Sequence, residues 1–257
     1  MNSYIDKVSS LVVGGVSKAI PVSHIFITCT PKSASTYLMR LLGGIVNAKV
    51  AVFIDAFDHT EQDMSINKII ENMFSSTVTH QHMRYSNYNA KVLDRFGIKP
   101  IILTRNIYDS VVSMRDHILR EPKVVWWPMA AIDVELFRAM SDERQIDFVI
   151  DHIVPWYVNF YVSWDKVYQE REILWITYKE LMEDKVNTLN NILAYYDFKE
   201  KVSRGEIEEV ENKIFEKVRF NKGTMNRGIS LMSERQINKI LGLVSYYPDI
   251  DFSKMGV

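Results

Sequence analysis

The chain has little of what would tie it to an oxidising compartment, a membrane or a polyanion. One cysteine, Cys29, is present among 257 residues, so no intrachain disulfide can form, and a reducing, cytoplasmic setting is expected. The apolar run Leu11 to Val16 is interrupted by Gly14 and Gly15 and falls far short of the roughly 20 residues of a spanning helix. A basic stretch leading into a continuous apolar core is also missing, so no secretory signal is read. Charge of one sign is not in excess: 31 basic against 32 acidic residues argue against a nucleic-acid partner while allowing a local basic pocket. No Cys-x-x-Cys or His-x-x-x-His spacing occurs; His80 and His82 with Asp55, Asp58 or His59 make only a loose ligand set, and no metal is expected. Internal repeats and low-complexity linkers are absent as well, so residues 1–257 are read as one domain.

What is present is an ordinary globular balance, 47% hydrophobic and 25% charged, arranged as strands alternating with helices. Ser23 to Thr30 reads as a short buried strand, Pro31 to Ser35 as a polar turn, and Thr36 onward as a helix carrying Leu38, Leu41, Leu42, Ile45 and Val46. A helix that follows such a turn aims unpaired N–H groups at it, and Lys32, Ser33, Ser35 and Thr36 add a cation and hydroxyls, a composition suited to an anion. No glycine lies between Val22 and Leu42, which excludes the nucleotide-triphosphate loop. The plainer alternative is that Ser35 or Thr36 only caps the helix.

Further strands are expected over Lys49–Ile54, Thr77–His82, Lys99–Arg105 and Glu172–Tyr178, with helices over 65–74, 86–97, 108–119, 133–169, 179–196, 206–218 and 234–244. Pro155 should break the long helical stretch, and the aromatic stripe Trp156, Tyr157, Phe160, Tyr161 and Trp164 is assigned to the core. Ser233 with Gln236 is a capping box for the last helix. The resulting fold class is α/β, a central parallel sheet of four or five strands flanked by helices.

Pro31-Lys32-Ser33-Ala34-Ser35-Thr36-Tyr37-Leu38 resembles the 5′-phosphosulfate loop of the sulfotransferases that use 3′-phosphoadenosine 5′-phosphosulfate (PAPS), in which Pro-Lys-Ser-Gly-Thr-Thr-Trp is usual. Arg105, Asn106, Asp109 and Ser113 fit the family run that holds the 3′-phosphate through its Arg and Ser, with Ile107 in place of Pro. Without the resemblance, Arg105 reads as an ion-pair partner of Asp109 or Asp116. Thr177-Tyr178-Lys179-Glu180 is similar to the segment whose tyrosine contacts adenine, and Tyr37 stands where an aromatic stacks on the same base. Asn221-Lys222-Gly223 occupies the place of the family's Arg-Lys-Gly loop; Arg219 or Arg227 is then the candidate for the missing arginine. These matches span about residues 23–244 and imply a P-loop-like sulfotransferase fold, PAPS as donor, adenosine 3′,5′-bisphosphate (PAP) as product and no metal.

The resemblance also implies a role for each group. Lys32 would stabilise the departing phosphate, and a histidine would take the acceptor's proton. His80 and His82 share a strand face. Val78-Thr79-His80 matches the family's Lys-Thr-His by letters, but His82 lies closer to the family spacing, and Gln81-His82 resembles a pair of bacterial members, so His82 is favoured. Glu61 is a third candidate base; Asp116 and His117 would line the acceptor pocket, with Val52–Asp63 and Trp126–Met129 as further walls. The acceptor is expected to be a small molecule or carbohydrate, and oligomeric state is not legible. A small-molecule kinase using ATP and Mg²⁺, and a binding protein that keeps the nucleotide site without catalysis, are the rival readings.

Overall fold

Strand β1, His24–Cys29, is apolar at nearly every position because it is covered on both faces: Ile25, Ile27 and Cys29 lie on one side and Phe26 on the other, all at most 1% exposed. The computed structural model describes residues 23–55, 61–121, 125–126, 129–215 and 227–257. Strands β2 (Lys49–Val50), β3 (Thr77–Gln81), β4 (Pro100–Thr104) and β7 (Leu174–Thr177) join β1 in a five-stranded sheet of order β2-β3-β1-β4-β7, parallel throughout. The register sets Thr28 beside Gln81 and Cys29 beside Leu103. Three strands therefore end together around the loop that follows β1.

Helices cover both faces. Helix α1 (Ser35–Ile45) follows β1, α2 (Ile66–Asn72) precedes β3, α3 (Asn87–Phe96) follows it, and α4 (Ile107–Ile118) follows β4. Ser86 caps α3 through its hydroxyl and Gly97 closes it in the left-handed conformation, φ 61°, as the sequence pattern requires. A small antiparallel pair, β5 (Val125–Trp126) with β6 (Ala131–Ile132), was not anticipated; each strand is too short to show periodicity. The other expected walls at Trp127 and Pro128 lie outside the described residues.

Two expected helices are subdivided. The stretch from 133 to 169 forms α5 (Val134–Ala139), α6 (Asp142–His152) and α7 (Val154–Glu170), with Ser141 capping α6 and Pro155 in the first turn of α7, where its missing N–H is harmless. The stretch after β7 divides at Asp184 into α8 (Tyr178–Glu183) and α9 (Lys185–Tyr195), because the Asp184 carboxylate accepts from Asn187 N–H and starts a new helix. Helices α10 (Arg204–Phe215), α11 (Arg227–Ser230) and α12 (Glu234–Val244) complete the chain, with a short 3₁₀ turn at Ser253–Met255. The Ser233–Gln236 capping box is present.

Strand β2 is shorter than expected. After Ala51 donates to Val78 the chain leaves the sheet, and Phe53 (0% exposed) enters the core. The aromatic stripe of α7 is core throughout: Tyr157, Phe160 and Trp164 are fully buried. No helix among the described residues is long and apolar enough to cross a membrane.

Candidate active site

The loop leaving β1 is bent by two residues in the left-handed region, Lys32 (φ 69°) and Ala34 (φ 70°). Ala34 is the N-cap of α1 and brings no side-chain cap, while Leu38 N–H reaches back to its carbonyl. The Ser33 hydroxyl, wholly buried, donates to the Thr30 carbonyl at 2.6 Å, so it braces the loop. Two other groups hold neighbouring carbonyls: Tyr157 of α7 donates to Pro31 O at 3.3 Å and Arg105 to Lys32 O at 3.2 Å. Among the described residues the buried Thr30 hydroxyl at the root of the loop has no hydrogen-bond partner. Ser35 is buried and Thr36 exposed.

Arg105 arrives here because β4 lies beside β1, with Thr30 N–H donating to Leu103 O across the two strand ends. Its guanidinium lies over the Tyr178 ring, 4.2 Å from the centroid, and its Nη2 is 3.8 Å from the Asp109 carboxylate. Tyr178 begins the helix after β7, the next strand, so three strand ends supply Lys32, Arg105 and Tyr178 to one place. Ser113 is buried on α4 one turn beyond Asp109. Burial, reinforced by the Arg120 and Arg105 charges, draws the Lys32 ammonium down to a pKa of about 8.

Asp116 does not meet Arg105. It pairs with Arg115 at 3.2 Å and with Arg227 of α11; burial opposes its ionisation, but the two guanidiniums prevail and hold it below the ordinary carboxylate value. Gly228 follows Arg227 and packs on α4 so closely that a Cβ there would lie 2.1 Å from the Tyr108 carbonyl carbon. Its N–H donates to Asp109 at 2.7 Å. Arg227 is thus committed to Asp116. Arg219, Asn221, Lys222 and Gly223 lie outside the described residues. His117, expected near the acceptor, faces Glu121 with Nδ1 at 3.4 Å.

Tyr37 packs against α10. Its hydroxyl donates to Glu211 of α10 and the Lys185 ammonium stands 5.6 Å from its ring, so α1 and α10 are sewn together through a buried phenol. Burial first, and Glu211 second, push the phenol's pKa upward.

The two histidines lie at and just beyond the end of β3, beside Cys29. His82 Nδ1 is 3.0 Å from the Cys29 carbonyl oxygen, which only accepts; the proton is therefore on Nδ1, and Nε2 carries the lone pair. The Gln62 side chain accepts from the His82 backbone N–H at 2.7 Å and fixes the strand end. Burial brings His82 down to about 4, the nearby Lys32 charge acting in the same sense and the Cys29 carbonyl and Glu61 against it. His80 Nε2 is 3.3 Å from the Thr36 hydroxyl, and burial brings this imidazole to about 3. Both are neutral near pH 7, and His82 presents the Nε2 lone pair.

Glu61, the third candidate base, is engaged: it accepts from Arg84 N–H at 2.9 Å and from Trp156 Nε1 at 3.1 Å, and pairs with the Arg84 guanidinium at 3.2 Å. It borders a cavity of about 460 Å³ lined also by Asp55, Asp63, Ser65, Ile66 and Tyr88. Cys29, Gln62 and Tyr157 were missed as parts of the site. Only Cys29 carried a signal in the sequence, its place beside the alternating histidines once the two strands are paired.

No protein-family model matches the chain, and no curated protein matches it by sequence. Among solved structures, the crystal structure of mouse sulfotransferase SULT7A1 complexed with PAP superposes with a TM-score of 0.65 at 16% identity, over 90% of this chain and 86% of that one. The architecture is that of the sulfotransferase fold, as the sequence reading expected.

Proposed function

We propose that the chain is a PAPS-dependent sulfotransferase whose acceptor is a hydroxyl or amine on a small molecule or carbohydrate. The carrying observation is the convergence of Lys32, Arg105 and His82 on one sheet edge, around a loop bent for an anion, in a fold whose similar structure holds PAP. The residues present suit the nucleotide: two cations, the Thr30 hydroxyl that has no partner among the described residues and the first-turn N–H groups of α1 form a donor-rich set, with Asp109 beside Arg105 and Asp116 and Glu121 acting on Lys32 as the facing carboxylates.

In this reading Ser33, Ala34, Ser35 and Thr36 hold the 5′-phosphate through backbone and hydroxyl donors. Arg105 and Ser113 hold the 3′-phosphate with Asn221, Lys222 and Gly223, and Tyr178 with Tyr37 contacts the base. The donor supplies an activated sulfuryl group. His82 Nε2 takes the acceptor proton as the new S–O or S–N bond forms, the bond from sulfur to the bridging phosphate oxygen breaks, and the Lys32 ammonium stabilises the charge left there. His80 contacts Thr36 and supports the loop. The cavity beside Glu61 is the acceptor's place in this reading. The Gln81-His82 pair favours a bacterial-type member, and the single buried cysteine favours a reducing, cytoplasmic setting.

The test is calorimetric titration with PAP, AMP and ATP, with chelator present. PAP is expected to bind at least about tenfold more tightly than AMP, the difference being the 3′-phosphate and its charge-assisted bonds. Equal affinity for PAP and AMP defeats the cofactor assignment, and a preference for ATP once Mg²⁺ is supplied replaces it with a kinase.

A further inference from the structure

Cys29, His80 and His82 put three soft donor atoms in one place. In the parallel β1–β3 register Ile27 stands beside His80 and Thr28 beside Gln81, so the next position sets Cys29 beside His82. Residues two apart share a face, and both histidines therefore turn toward the thiol. The Cys29 sulfur is 3.4 Å from His82 Nδ1 and 3.8 Å from His80 Nδ1, and the three donors all lie within 4.8 Å of one another.

Those separations have a meaning for metal geometry. With Zn–S near 2.3 Å and Zn–N near 2.0–2.1 Å, a tetrahedral ion spaces sulfur and nitrogen ligands about 3.5 Å apart. The two observed spacings bracket that value, so small side-chain rotations suffice to receive an ion. Cysteine with two histidines is a donor set for zinc rather than for magnesium or calcium, which take oxygen.

We propose that Cys29, His80 and His82 form a binding site for a zinc-class divalent cation, and that filling it disables His82 as a base. The consequence for catalysis rests on the function proposed above; the site itself does not. His82 Nδ1–H donates to the Cys29 carbonyl, and Nε2 accepts. When the ion takes the Nδ1 lone pair, the single proton of the neutral ring resides on Nε2, which then donates and can no longer accept the acceptor's proton. The Cys29 thiol releases its proton to solvent as the thiolate binds, so the balance is one proton released for each ion bound.

The entry path is the His80 side. Cys29 is fully buried, but both histidines are half-buried, and His80 Nε2 contacts the exposed Thr36 hydroxyl. Three protein ligands leave the fourth tetrahedral position to water. The sequence alone groups the histidines with Asp55, Asp58 or His59, of which Asp58 and His59 lie outside the described residues; strand pairing brings Cys29 to them instead.

The deciding experiment is an optical titration of the chelator-stripped full chain with Co²⁺, followed by displacement with Zn²⁺. One equivalent of cobalt is expected to give tetrahedral visible bands and a near-ultraviolet thiolate-to-cobalt band, both removed by zinc. Cys29→Ser should lose the thiolate band, and His80→Ala, altered at the partly exposed edge, should weaken cobalt binding at least about tenfold; circular dichroism checks that both variants fold. Absence of the thiolate band in the wild-type chain overturns the site, as does its survival in Cys29→Ser or unchanged affinity in His80→Ala. PAP titrated into the chelator-stripped chain separates the two claims: a chain that shows the cobalt spectrum yet ignores PAP when metal-free keeps the metal site and loses the sulfotransferase reading.

Discussion

The charge on Lys32 should make nucleotide affinity fall steeply above pH 8. Burial and the Arg120 and Arg105 charges leave its pKa at about 8. A phosphate oxyanion against the ammonium favours the charged form and returns the pKa toward the ordinary value of about 10.4. The sign follows: below pH 8 the lysine is already protonated and affinity is flat, whereas between about 8 and 10.4 binding must take up a proton, and affinity drops by up to tenfold per pH unit. The full excursion is about two decades, on the order of 3 kcal/mol, and solvent access to the ammonium reduces it, so a loss of about 10- to 100-fold from pH 7 to pH 10 is expected. Calorimetry of PAP at pH 7, 8, 9 and 10, in buffers of different ionisation enthalpy, measures both the affinity and the proton uptake. Lys32→Met should bind more weakly at pH 7 and show no uptake. Constant wild-type affinity over this range, or the same decline in Lys32→Met, would refute the assignment of Lys32 to the phosphate.

Two substitutions test the scaffold that shapes the site. Ala34→Gly removes the steric penalty of a left-handed alanine at φ 70°, about 1–2 kcal/mol, against about 0.4–1 kcal/mol of added freedom in the unfolded chain; the melting temperature should rise by about 1–3 °C, and a fall would show that the loop does not need this conformation. Gly228→Ala places a methyl 2.1 Å from the Tyr108 carbonyl carbon and 2.4 Å from Asp109 N, so thermal unfolding should report a loss of about 1–3 kcal/mol; an unchanged melting temperature would mean that α11 is not seated on α4.

The sheet was legible in the sequence because its strands are buried on both faces and read as apolar runs: Ile25 to Cys29, Pro100 to Thr104 and Leu174 to Thr177. Helix starts were legible where a side chain caps them, as at Ser86 and Ser233. What periodicity does not reveal is a break between two helices of like pattern. Asp184 ends one helix and caps the next, and nothing in the spacing of Leu181, Met182, Val186 and Leu189 distinguishes that from a continuous helix. Site residues fared in the same way. Lys32, Arg105 and His82 follow strand ends and could be placed from local order, but Tyr157 reaches Pro31 across 126 positions, and only the packing of α7 under the loop brings it there. Arg227, a candidate for the phosphate, is drawn to Asp116 by a contact across 111 positions. Tyr37 was assigned to a base by the resemblance; its acidic partner, Glu211, lies 174 positions away.

The loop's fitness for an anion rests on these distant contacts rather than on glycine. A trans peptide sets its carbonyl and N–H on opposite sides, so fixing a carbonyl also fixes the following N–H. Tyr157 holds the Pro31 carbonyl, which turns the Lys32 N–H the other way; Arg105 holds the Lys32 carbonyl and does the same for the Ser33 N–H. Ser33 closes the turn on Thr30, and Ala34 adopts the left-handed backbone that a glycine would take more cheaply. Ile107, where the family pattern has proline, takes the first position of α4 and buries its side chain completely; proline there offers only a preset φ, so its loss leaves Arg105 where it was. Both of these departures from the family pattern, at Ala34 and at Ile107, therefore fall where the surrounding packing already dictates the backbone. Donors from α7 and from the residue after β4 turn successive carbonyls inward, and the N–H groups that a phosphate needs face outward as a result.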